Sequence, residues 1–83
     1  MGATHTPKYL EFIARLRRAR KARGLTQARL AVKIAKPQSF VSKVETGERR
    51  LDLVEAAEWC IALNITLEDV LPGTLKKALK REI

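Results

Sequence analysis

From residue 26 to residue 49 the chain reads TQARLAVKIAKPQSFVSKVETGER. The stretch divides at Lys36-Pro37, because proline disfavours helix in the residue before it and starts a new helix well. On the N-terminal side, Thr26 is placed to cap a short helix whose apolar stripe is Leu30, Ala31 and Ile34 and which ends near Ala35. On the C-terminal side, residues 38–45 predict a second short helix that Gly47 ends. Val41 and Val44 then face inward, while Gln38, Ser39, Ser42 and Lys43 lie together on the outer side.

The flanks extend the same helical grammar. Thr6 as N-cap and Pro7 at the first helical position open an amphipathic helix with Tyr9, Phe12, Ile13, Leu16 and Ala19 on one face. Its other face carries Arg15, Arg17, Arg18, Lys21 and Arg23, and Gly24 stops it. Downstream, Asp52 with Glu55 gives a start like a capping box for a fourth helix running to about Leu63. Its core candidates are Val54, Ala56, Trp59, Cys60 and Leu63, and Asn64 tolerates a left-handed terminus. Thr66 caps a single turn over residues 67–71, Pro72-Gly73 breaks the chain, and residues 74–83 read as a short basic helix. The expectation is one all-α domain. A flexible tail over residues 1–7 precedes a five-helix body at 8–71, and a basic helix or tail follows at 72–83.

With 83 residues, barrels and doubly wound sheets are out of reach, and little volume remains for an enclosed substrate cavity. One cysteine (Cys60) and one histidine (His5) allow no internal disulfide and no Cys/His zinc site, so neither metal nor cofactor is expected. Trp59 and Cys60 read as core. The serines have no neighbouring histidine, and Glu45 and Glu48 belong to a turn, so the expectation is a protein that is not an enzyme. No apolar run approaches bilayer length, the basic helix faces lack aromatic anchors, and MGATHTPKYLEF lacks the regions of a secretory leader. A reduced cytoplasmic setting without membrane contact follows as the expectation.

Charge is unevenly spread within a net of +8. Residues 8–50 hold 13 Lys/Arg against three acids, a net of +10, whereas residues 51–73 hold five acids and no base. Residues 74–83 return to +3. Such segregation predicts a basic face suited to polyanions, with nucleic acid first among them.

Two short helices around a tight break, with a polar outward face on the second, form the helix-turn-helix pattern. A DNA major groove admits one α-helix, whose N-terminal half reaches base edges. Gln bonds adenine, Ser bonds any base, and Lys reaches guanine or phosphate. The stretches LRRARKARGLTQARLA, PQSFVSKVETGERRLD and EAAEWCIALNITLEDVL, at residues 16–31, 37–52 and 55–71, resemble the Cro/C1-type (XRE) helix-turn-helix family. That resemblance implies a lambda-repressor-like fold and a DNA-binding set of Thr26, Gln27, Lys36, Gln38, Ser39, Phe40, Ser42, Lys43 and Arg49. Gln27 would hold a phosphate and brace the second helix of the motif, and Arg49 lies in the loop that runs along the backbone. Phe40 either packs locally or meets a thymine methyl group. Arg20 and Glu45 match a structural ion pair. Ala35 departs from the family, standing where many members have glycine.

The resemblance implies a repressor-like transcriptional regulator, a homodimer on a palindromic site in double-stranded DNA. Ile61, expected outside the apolar face of the fourth helix, joins Leu75, Leu79 and Ile83 as a candidate dimer patch. The competing reading is a protein-interaction module, an antitoxin or a polymerase-binding adaptor, with DNA contact secondary.

Overall fold

A computed structural model describes residues 6–80, the last two by their backbone alone. The described residues form six helices: α1 (Pro7–Ala22), α2 (Gln27–Lys33), α3 (Gln38–Thr46), α4 (Leu53–Leu63), α5 (Leu67–Val70) and α6 (Gly73–Lys80). The expected all-α architecture is met. Residues 1–5 of the expected tail and Ile83 lie outside the described residues, as does the side chain of Leu79.

Local chemistry sets most boundaries. The side chains of Thr6, Thr26, Asp52 and Thr66 each accept a bond from the backbone N–H three residues on. At α4 and α5 the bond is returned by Glu55 and Asp69, closing reciprocal capping boxes. The chain then reverses through left-handed residues after each of the first four helices: Gly24 after α1, Ala35 after α2, Gly47 after α3 and Asn64 after α4.

One core holds these short helices together. Leu16 and Ile13 of α1 meet Leu30 and Ala31 of α2, Val41 and Val44 of α3, and Trp59, Cys60 and Leu63 of α4, with Val70 closing the far side. Apart from α1 the helices are too short to be stable alone in water, so this shared burial is what fixes them. The closest association is between α2 and α3. Tyr9 is buried with the core, and its hydroxyl accepts a 3.1 Å bond from the Leu51 N–H, which ties the start of α1 to the loop before α4.

Two expectations need correction. Val54 is 66% exposed, not core. Ala56, Trp59, Cys60 and Leu63 define one face of α4, and Val54 lies roughly half a turn around the helix from it. The expected apolar patch of Ile61 with Leu75 is also divided. Ile61 is 77% exposed as anticipated but lines a shallow groove with Ile34, Ala35 and Glu58. Leu75 lines a separate groove with Tyr9, Phe12 and Leu53.

Ala35, in the α2–α3 turn, sits at φ +57°. An L-residue there crowds its own Cβ, at a cost of roughly 1–2 kcal/mol that glycine avoids, partly offset by glycine's larger unfolded-state entropy. Ala35→Gly is therefore expected to raise stability by up to ~1 kcal/mol, read as an upward shift in the thermal unfolding midpoint. A lowered midpoint would show that the turn is unstrained.

Candidate nucleic-acid interface

The motif is assembled around a carboxylate. Glu45, near the end of α3, has a side chain only 3% exposed, and Arg20 of α1 is 7% exposed beside it. Arg20 meets it through a planar fork: Nε donates to Oε2 at 2.7 Å and Nη2 to Oε1 at 3.0 Å. The remaining nitrogen, Nη1, donates to the Leu25 carbonyl at 2.7 Å, in the loop leading into α2. Gln27, the first residue of α2, donates from Nε2 to Glu45 Oε1 at 2.9 Å. Arg17 Nε stands 3.9 Å from the same oxygen at the solvent side. One buried carboxylate thus locks α1, the α1–α2 loop and α2 onto α3.

The outward side of α3 is thereby held in a fixed orientation. Gln38, Ser39 and Lys43 are exposed, and Ser42 is half-buried. Pro37 occupies the N-cap and supplies no side-chain acceptor, which leaves the positive end of the α3 dipole uncapped beside Lys36. Thr26 is exposed, but its hydroxyl is already the acceptor for the Arg29 N–H at 3.1 Å.

Phe40 and Arg49 pack together against α4. Phe40 is half-buried, with its ring centroid 6.1 Å from that of Trp59. Lys36 Nζ lies 5.4 Å from the Phe40 centroid and the Arg49 guanidinium carbon 4.9 Å from it, both within cation–π range. The local-packing alternative for Phe40 is therefore the arrangement seen. Arg49 itself is held by Glu55 of α4: Nη1 donates to Oε1 at 2.9 Å and Nη2 to Oε2 at 2.8 Å. Nη1 also donates to the Arg50 carbonyl. The hydrogen bonds from Arg49, and then that from the Asp52 N–H, hold the Glu55 carboxyl down at about 2. Arg49 is raised in turn, chiefly by its bond to Glu55.

Sequence reasoning missed Glu55 as a member of this surface. Its position three residues after Asp52 announces a cap, which is a local role. The six-residue gap back to Arg49 matches no helical spacing and is closed only by the turn before α4.

Comparisons with known proteins agree with this geometry. A helix-turn-helix family model matches residues 16–70. No curated protein matches the chain. Among solved structures it is similar to the restriction-modification controller protein C.AhdI from Aeromonas hydrophila, at 33% identity and a TM-score of 0.72 over 80% of this chain and 100% of that one. It is similar also to an XRE-family like protein from Pseudomonas syringae pv. tomato, at 36% identity and a TM-score of 0.75 over 88% of this chain and 87% of that one.

Two outcomes follow from the charges. Glu45→Ala strands Arg20 in the interior and is expected to cost roughly 3–5 kcal/mol, read as a large drop in the unfolding midpoint; a drop within ~1 kcal/mol would mean that water reaches Arg20 freely. Glu55 sits near 2 when folded against an ordinary value of 4.5, so its stabilisation is complete above about 4.5 and lost as pH falls towards 2. The gap in melting temperature between wild type and Glu55→Gln is expected to shrink across that window, and parallel curves would refute the assignment.

Proposed function

The chain belongs to the Cro/C1-type (XRE) helix-turn-helix family, and from that premise we propose that it is a sequence-specific, repressor-like transcriptional regulator. It acts by binding double-stranded DNA, not by catalysis. In this reading α3 lies in the major groove, with Gln38, Ser39 and Lys43 at base edges. Gln27, Lys36 and Arg49 serve the backbone. The observation that carries the reading is the buried Arg20–Glu45–Gln27 network, which holds α3 rigidly while leaving its outward face to solvent. A groove-reading helix needs that rigidity, because base discrimination depends on placing donors and acceptors within a few tenths of an ångström.

The protein would act as a homodimer on an inverted repeat, one α3 per half-site about one helical turn apart. Exposed Ile61 on α4 supports a protein contact. The similarity to a restriction-modification controller supports a regulatory setting of that type. Ile61 also favours the second reading, an interaction module with DNA contact secondary.

Selection of bound duplexes from a randomised pool at moderate salt tests the proposal, and enrichment of an inverted repeat is the expected result. Affinity should fall linearly on a log–log plot against salt as counterions are released. Ser39→Ala should relax preference at one position of the site, whereas Gln27→Ala weakens every sequence alike. Binding without enrichment, together with an Ile61→Lys variant that alone loses activity, would favour the interaction module.

A further inference from the structure

Arg49 has five N–H groups, and its partners use only three. Glu55 takes one hydrogen from each terminal nitrogen, and the Arg50 carbonyl takes the second on Nη1. The Nε–H and the outer Nη2–H remain. They form the other fork of the guanidinium, the same edge that Arg20 turns to Glu45, and among the described residues no acceptor meets it. A fork of that shape matches two oxygens of a phosphate. The guanidinium is also fixed in position: Glu55 grips its far edge, and the Phe40 ring of α3 lies 4.9 Å from its carbon. Phe40 is fixed in its turn against buried Trp59. Lys36, at the other end of the α2–α3 turn, brings a second cation to that ring.

Resting on the DNA-binding reading above, we infer that Glu55 is a positioning residue for the DNA backbone. It orients Arg49 across Phe40 so that the Nε edge of the guanidinium receives a phosphate beside the start of α3. An acid is at first sight the wrong group to set next to a polyanion. Here its charge is already spent on Arg49, and what it contributes is a direction for a side chain that would otherwise sample many rotamers. Phe40 is then a platform for two phosphate-directed cations, not a reader of thymine.

The test is Glu55→Gln on the duplex selected above. Glutamine at this position still accepts the Asp52 N–H bond, so the cap is kept while the ion pair is lost. E55Q is expected to bind roughly three- to tenfold more weakly, although it gains a unit of positive charge. R49A should lower the salt slope by about one. The double variant E55Q/R49A should bind no more weakly than R49A alone. Binding by E55Q equal to or tighter than wild type would overturn the inference, as would fully additive losses in the double variant. If E55Q melts far below wild type, Arg49→Lys decides, since it keeps the charge and loses the fork. It should bind as poorly as R49A, and wild-type binding by it would sink the idea. A wild-type protein that selects no duplex removes the DNA reading and this inference with it; a wild type that selects one, beside an unaffected E55Q, removes this inference alone.

Discussion

Arg20 and Glu45 carry opposite charges out of water at the point where α1, α2 and α3 meet, and the geometry of the motif depends on how that cost is met. Two ions in a poorly polarisable interior are tolerated only when their hydrogen-bonding capacity is filled. Here Glu45 accepts from Arg20 twice and from Gln27, and Arg20 gives its remaining terminal nitrogen to Leu25. Each of these bonds has a direction. Together they fix the angle between α3 and the helices behind it more narrowly than packing of Val41 and Val44 against Leu30 would, because apolar contacts slide at little cost. The pair's value lies in that specificity more than in net stability.

A second anchor works from the opposite flank. The Phe40 ring of α3 rests on Trp59, the large central side chain of α4, and Arg49 bridges from the following loop to Glu55. α3 is therefore held at its C-terminal end by ions and near its N-terminal end by aromatic rings. What remains free on the outward side is the strip bearing Gln38, Ser39 and Lys43.

The uneven charge of the chain acquires an exception in three dimensions. Glu55 belongs to the acidic stretch after residue 50, yet the fold delivers it to the basic surface. The rest of α4 turns Val54 and Ile61 outward, so the acidic half of the chain carries its exposed apolar side chains on a helix other than α3.

The sequence alone settled the order of the helices and the starts of most of them, because capping, proline breaks and left-handed residues act within four residues of their cause. It also settled the pairing of Arg20 with Glu45 through the family pattern, and the inward faces of α1 and α3 through their period. It placed Val54 wrongly against the helical period, since Val54 lies about half a turn from the face that Ala56, Trp59, Cys60 and Leu63 define. The tertiary structure alone decided that Phe40 lies on Trp59, that Ile61 and Leu75 line different grooves, and that Glu55 holds Arg49. The Phe40–Trp59 and Glu55–Arg49 contacts join residues whose separation along the chain follows no helical period. Their meeting depends on the path of a turn, and only the packed core fixes that path.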